Sequence, residues 1–400
     1  MSLTLLLDLD DTLLRNNFEI FLPYYLEAFS QIVSPIIEPD SFVEALMEST
    51  RLMINNRLPD CTLKEVFESS FYPRLNVVKE RFEIVAERFY LEEYPKLKIH
   101  TQHIPGAAEL VQTAHDKGFS ISISTNPLFP KVAIEERLNW ANLSQNNFQY
   151  DLISSFESFH FAKPDPSYYA ELLAQLGWPH GPVLVVGDDL ESDILAANQL
   201  GLKTYWVNPD EVEIKDLPES ATAYGSLSEL MDWIETTPLE QMMPDYSSIE
   251  SILATLRSTP AALDTISRNF DYSLWTRHPR EGEWGLVEIV CHLRDVDEEL
   301  NQSRLIKIME KDNPFIPGID TDQWADDRKY YQQDGEMALQ QFTATRMILV
   351  EILESLERED WEKPARHAIF GPTNLKELLS ISASHDRIHL NQVKQIIESF

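Results

Sequence analysis

The fold class this sequence predicts is α/β, a doubly wound parallel sheet carrying a helical cap, followed by an all-α four-helix bundle. Three observations carry it. Short runs rich in Val, Ile and Leu alternate with helical patterns over the first half. The stretch after the first run, residues 15–104, shows helical periodicity alone. Beyond a proline-containing break the strand pattern stops, and four long amphipathic stretches follow.

The apolar runs are "LTLLLDL" (3–9), "FSISIST" (119–125), "YDLISSF" (150–156), "PVLVVGD" (182–188) and "KTYWVN" (203–208). They are apolar on both faces, as parallel strands covered by helices on both sides should be. Helical patterns at 106–118, 164–177 and 191–201 lie between most of them, and the last two end in glycine, a common helix stop. Strand and helix in alternation build a parallel sheet. The 15–104 insert reads as about four helices punctuated by Pro35, Pro39, Pro59, Pro73 and Pro95. It is longer than any crossover requires and is expected to cover the strand ends as a cap. The segment "ETTPLEQMMPDYSS" (235–248) has two prolines and no periodicity. The domains expected are therefore 1–235, with the cap at about 15–104, a linker at 236–247, and 248–400. In the last, helices are predicted at about 248–270, 284–311, 334–358 and 374–399, each with one apolar stripe.

The formal net charge of the 400 residues is −33. Residues 1–247 hold 16 basic and 39 acidic residues; the remainder holds 17 and 27. Both parts are acidic, which argues against a nucleic-acid or anionic-membrane partner, because phosphate affinity comes largely from Lys and Arg. The charge reads as a solvated, self-repelling surface. The two cysteines, Cys61 and Cys291, form no disulfide framework. No basic leader and no membrane-spanning run is seen, so the cytoplasm is expected.

In an open parallel sheet, ligands gather beyond the carboxyl ends of the strands. Asp8 and Asp10 follow the first run, Thr125 and Asn126 the second, and Lys163 comes shortly after the third. Asp188 and Asp189 follow the fourth, with Asp193 one helical turn later. Each has an ordinary structural explanation: "GDD" is a turn plus an N-cap, Lys163 an exposed lysine, Thr125 a cap. Their joint arrival at one edge favours function. Three carboxylates at one point repel, and a divalent cation relieves that. Oxygen ligands without His or Cys select a hard ion, above all Mg²⁺, which commonly serves phosphoryl chemistry. Lys163 and Thr125 would hold a phosphate's remaining oxygens.

"LLLDLDDTLL", "ISISTN", "KPDPSYYAELLAQLG" and "VLVVGDDLESDILAANQLGLKTYWV" resemble, in order, the four motifs of the haloacid dehalogenase-like hydrolases. The insert resembles the helical cap of their first subfamily. The resemblance covers residues 1–235 and implies a phosphoric monoester hydrolase. Asp8 would be the nucleophile forming an aspartyl-phosphate. Asp10 would protonate the leaving oxygen, activate the water, and lend its backbone carbonyl to Mg²⁺. Asp188 would complete the metal site with Asp193 in support, and Thr125, Asn126 and Lys163 would bind phosphate. Asp10 also argues for phosphate over halide, since halide-displacing members lack it. "ESFHFAKP" departs from the family, which often has glycine before the lysine. Phe159, His160 and Phe161 there either narrow the entrance or alter packing.

In the last part, His385 and His389 are four apart, so they share a helix face, in phase with Leu378, Ile381, Val393 and Ile396. His292 is in phase with Ile289 and Val296. Three imidazoles facing one interior suit Zn²⁺, Ni²⁺ or Fe²⁺; buried histidines bonded to their neighbours are the ordinary alternative. Cys291 points off that stripe. "WGLVEIVCH" and "SHDRIHLNQ" resemble the DinB-like bundle family, whose characterised members include metal-dependent thiol transferases. The leading expectation is a Mg²⁺-dependent phosphatase for a small phosphorylated metabolite, joined to a DinB-like metal-binding module, with a homodimer left open. The alternatives are a regulatory or scaffolding protein that binds a phospho-ligand, and a metal-dependent thiol transferase in the bundle.

Overall fold

The computed structural model describes residues 2–207, 221–268, 272–280, 282–321 and 323–399. The predicted strand end at 208 and helix end at 269–270 lie outside the described residues. Two compact units make up the chain: residues 1–168 with 180–245, and residues 169–179 with 246–400.

The sheet is six-stranded and parallel. Its strands are β1 (Thr4–Leu7), β4 (Ser120–Ile123), β5 (Leu152–Ile153), β6 (Val183–Gly187), β7 (Lys203–Val207) and β8 (Ala223–Gly225). Their order is β5-β4-β1-β6-β7-β8. β1 and β6 are buried along their whole length, which is why their sequences are continuously apolar. The helices of this unit are α5 (Ala107–Asp116), α6 (Lys131–Trp140), α8 (Ala196–Leu200) and α9 (Leu227–Thr236); α7 (Pro166–Gln175) begins in it and belongs from Tyr169 on to the second unit. The sequence pattern does not predict β8, whose three partly exposed residues form no apolar run. It also misses α6, because a charge, Arg137, occupies the middle of that helix's buried face.

The cap contains α1 (Phe18–Val33), α2 (Pro39–Ile54), α3 (Leu63–Leu75) and α4 (Lys79–Arg88). The strands β2 (Leu14–Arg15) and β3 (Gln102–His103) pair antiparallel, so the chain leaves and re-enters the sheet domain side by side. Local sequence explains the helix starts. Asn17 caps α1, Pro39 opens α2, and Thr62 with Glu65 forms a capping box on α3. An aromatic cluster holds the helices together, with Phe29 stacked on Phe89 at 4.0 Å between centroids. The segment 236–247 is more ordered than a linker would be. Leu239–Met242 forms a 3₁₀ turn, and Met242 is fully buried in the core of the first unit.

The second unit contains α10 (Ile249–Arg268), α11 (Leu286–Val296), α12 (Gln302–Glu310), α13 (Trp324–Asp327), α14 (Gly335–Glu354), α15 (Arg358–Trp361) and α16 (Leu375–Glu398). A π turn, Asp297–Asn301, joins α11 to α12, so the two form one helical stretch. α10 and α11 each pack on α14 and α16, closing a four-helix arrangement. It is not purely helical. β9 (Phe315–Ile316), β10 (Pro364–His367) and β11 (Gly371–Asn374) form a small sheet, invisible as a pattern because its strands are short and hold Pro364, Gly371 and Pro372. Among the described residues, no helix is long and apolar enough to cross a membrane.

Candidate functional site

In the β1 register, Leu7 lies opposite Ile123 of β4 and Val186 of β6. The residues after these three strands therefore emerge together. Asp8 N–H donates to Val186 O at 2.9 Å, and Ser124 N–H to Leu7 O at 2.7 Å. One carboxylate oxygen from each of Asp8, Asp188 and Asp193 lies within 4.8 Å of the other two. Asp193 sits on a π turn, Leu190–Leu195, capped by Asp189. It approaches so closely that a Cβ on Gly187 would lie 2.1 Å from Asp193 Oδ2, which accounts for the glycine in "GDD".

Lys163 Nζ donates to Asp8 Oδ1 at 2.9 Å and to Asp193 Oδ1 at 2.5 Å. Thr12 Oγ1 donates to Asp188 Oδ1 at 3.0 Å. Thr125 and Asn126 stand at the neighbouring strand end. The Thr125 carbonyl accepts from Ser154 Oγ and Tyr168 OH, and Asn126 Nδ2 donates to Lys163 O at 3.5 Å. Phe159, His160 and Phe161 are fully buried, so they pack rather than narrow an entrance.

Asp10 points to a different set of partners. Asn16 Nδ2 donates to its Oδ1 at 2.9 Å, and Arg137 Nη1 pairs with its Oδ2. Arg137 is buried, and its guanidinium lies over the Phe129 ring, 4.6 Å from the centroid. Sequence reasoning missed Arg137 and Asn16. The available signal was a charged residue in phase with Ala133, Ile134 and Trp140 on α6.

Burial pushes the Asp8 carboxyl well above the ordinary carboxylate range; Lys163 opposes this, and Asp193 and Asp188 reinforce it. Burial, then Asp193, raises Asp188 to about 7. Carboxyl groups so crowded favour a proton or a cation among them. The donors are all oxygen, which fits a hard divalent ion, and a polar cavity of about 450 Å³ lined by Arg15, His100 and Gln102 opens onto Asp188.

The second cluster lies in the bundle. His385 Nε2 is 3.0 Å from both His292 Nε2 and His389 Nε2. Gln392 Oε1 lies 2.8 Å from His389 Nδ1, which favours a proton there and leaves Nε2 as the lone-pair donor. Burial, then the neighbouring imidazoles, pushes His292 down to about 3; burial and then His385 push His389 down to about 4. Burial also lowers His385. The three rings are neutral near pH 7, and they line a cavity of about 550 Å³ beside Trp284. Cys291 Sγ turns to Gln333 instead. Ile381, expected on the inward stripe, is 41% exposed.

The haloacid dehalogenase-like hydrolase family model matches residues 3–201, and the DinB superfamily model matches residues 255–393. The chain joins a haloacid dehalogenase-like hydrolase domain to a DinB superfamily domain. The hydrolase domain is 24% identical over 144 residues to pyrimidine 5'-nucleotidase PynA of Streptococcus pneumoniae, covering 35% of this chain and 58% of that protein. It is 33% identical over 119 residues to ribulose-1,5-bisphosphate 5-phosphatase of Halopiger xanaduensis, covering 30% and 46%. The chain thus spans about half the length of these curated relatives. The DinB domain is similar to YfiT from Bacillus subtilis, described as a probable metal-dependent hydrolase, at 17% identity and a TM-score of 0.35, covering 40% of this chain and 91% of that one.

The raised Asp188 makes a signed prediction. Its folded form holds a proton more tightly than the unfolded chain, so its contribution to stability is present below about pH 4 and lost as pH rises through about 7. A cation bound by the carboxylates restores that loss. Millimolar Mg²⁺ is expected to raise the thermal midpoint by several degrees at pH 8 and by much less at pH 5. Asp188→Asn should remove most of the difference, and a larger shift at pH 5 would contradict the assignment.

Proposed function

We propose that the hydrolase domain cleaves phosphate monoesters of small metabolites through an aspartyl-phosphate. The observation that carries this reading is the convergence of Asp8, Asp188 and Asp193 with Lys163 bound to Asp8. Complete motifs and relatives named as a nucleotidase and a phosphatase support it. Mg²⁺ held by Asp8, Asp188, Asp193 and the Asp10 carbonyl would supply charge neutralisation for the carboxylates and phosphoryl oxygens.

Asp8 attacks phosphorus; the bond from phosphorus to the ester oxygen breaks as the bond to the Asp8 carboxylate forms. Asp10 gives its proton to the leaving oxygen. It then takes a proton from the water that attacks phosphorus, releasing inorganic phosphate and restoring Asp8. Lys163 and the Thr125 and Asn126 side chains bind the phosphoryl oxygens. Arg137 and Asn16 occupy one site on each Asp10 oxygen, which fixes the carboxyl plane and leaves the remaining lone pairs for proton transfer.

Asp8→Asn is expected to lower phosphate release at least 10³-fold with the fold unchanged by circular dichroism, because the amide is not a nucleophile. Undiminished turnover in that variant would end the reading. Arg137→Met is expected to reduce turnover of alkyl phosphates, which need protonation of the leaving oxygen, about 10²-fold or more. It should affect p-nitrophenyl phosphate, a far better leaving group, much less. Equal losses on both esters would mean that Arg137 acts on the fold rather than through Asp10.

We further infer that the DinB domain holds one transition metal on His292, His385 and His389, with Zn²⁺ or Ni²⁺ the expected ions. Zinc ligands at about 2.0–2.1 Å would stand roughly 3.3 Å apart, near the spacing of these nitrogens. Elemental analysis of the purified chain is expected to find close to one such ion per molecule, lost in His385→Ala. A chain free of transition metal after loading would remove the inference.

A further inference from the structure

Between the cap and the loops beyond β4 and β5 lies a third cavity, of about 350 Å³. Phe67, Phe82 and Tyr90 line it from the cap, and Leu128, Phe129 and Phe156 from the loops beyond β4 and β5. The two sets touch: the Phe67 and Phe156 ring centroids are 6.4 Å apart. Lys64 stands there with Glu68, Glu83 and Glu157, and Lys79 Nζ pairs with Glu68 at 2.6 Å and lies 3.9 Å from Glu83. Such a ring-lined wall attracts apolar surface.

Its position follows from the chemistry. In an in-line displacement the leaving oxygen departs on the side opposite Asp8 and meets Asp10. Asp10 is bound by Arg137, whose guanidinium rests on Phe129, a cavity residue. The loop that carries Thr125 and Asn126 runs directly into Leu128 and Phe129. Asn16, the other partner of Asp10, stands two residues before Phe18, which also lines the cavity. Through Arg137 and Phe129, the group that holds Asp10 abuts the wall of an apolar chamber.

We infer that the ester cleaved here has an apolar leaving group without further charge, an aliphatic or ring-containing alcohol seated among these rings. The inference rests on the phosphatase reading and narrows its substrate class. It disfavours bisphosphates and phosphorylated carboxylic acids, whose second anion would lose its water among these rings.

The test is a series of straight-chain alkyl monophosphates, ethyl through hexyl, with the full chain and Mg²⁺. The readout is kcat/KM for phosphate release. Transfer of each methylene into an apolar site predicts a gain of about fourfold per added carbon. Ala86→Trp, which pushes an indole into the cavity, should flatten the series. Met47→Glu, at a 44% exposed position on the cavity's lining, should do the same without a core substitution. A series flat within twofold, with a sugar bisphosphate or glycerol phosphate preferred, would overturn the inference, leave the phosphatase reading standing, and move the leaving group to the polar cavity beside Asp188. No phosphate release from any ester would instead defeat the phosphatase reading, and the inference with it.

Discussion

Like-charge crowding at the end of β1 is the constraint around which the hydrolase domain is organised. Among the described residues, Asp8, Asp188 and Asp193 share one small volume with one ammonium, that of Lys163. At an effective dielectric near 20, two unit charges 4 Å apart interact by about 4 kcal/mol, so one lysine does not balance three carboxylates. Only a rigid frame holds such a group together. The frame is the parallel register of β4, β1 and β6, whose buried apolar side chains fix where each strand ends. The long apolar runs and the acidic residues that follow them are two halves of one requirement: the sheet supplies the rigidity that the charges would otherwise disrupt.

The bundle solves a related problem with a different residue. Arg346 on α14 is 1% exposed and binds Asp297 through Nε at 2.5 Å, Asp386 through Nη2 at 3.2 Å, and the Leu256 carbonyl of α10 through Nη1 at 2.9 Å. Asp386 adjoins His385 on α16, and Asp297 opens the π turn that continues α11, the helix of His292. One guanidinium thus ties together the helices that present the imidazoles. Buried ion pairs of this kind add little net stability against an apolar substitute, but losing one partner leaves uncompensated charge. Their contribution here is register: α11 and α16 meet where three Nε2 atoms converge.

Much of this was legible in the sequence. Strand runs, cap helices and bundle helices appear as periodicity because each buries a continuous apolar stripe or run. Asp8, Asp188, Asp193 and Lys163 could be expected to converge because each follows a strand in a fold whose strand ends share an edge. The illegible parts have physical causes. β8 to β11 carry no apolar run: β8 exposes Tyr224, β9 is two residues long, and β10 and β11 hold Pro364, Gly371 and Pro372. α6 hides its amphipathicity behind Arg137. The order in 236–247 depends on Met242 finding a place in a core assembled from distant residues. The packing of Phe159, His160 and Phe161 could not be separated from an entrance role without coordinates, since bulk alone suits either.

Arg137 shows why such residues escape pattern reading. Its Nε and Nη2 are buried and have no hydrogen-bond partner among the described residues. Each unmet buried donor costs about 1–3 kcal/mol, so a methionine of similar length would suit the interior of α6 better on stability alone. The Tyr94 hydroxyl beside it is likewise buried and unpartnered. Both departures lie beside Asp10, the carboxyl group proposed above as the general acid, and unmet polar groups of this kind are tolerated where chemistry outweighs stability. The local rule that hid α6 from the sequence is broken where Asp10 needs a fixed partner. The same side chain carries that constraint into the cap, because the guanidinium that holds Asp10 also rests on Phe129, a wall of the apolar chamber.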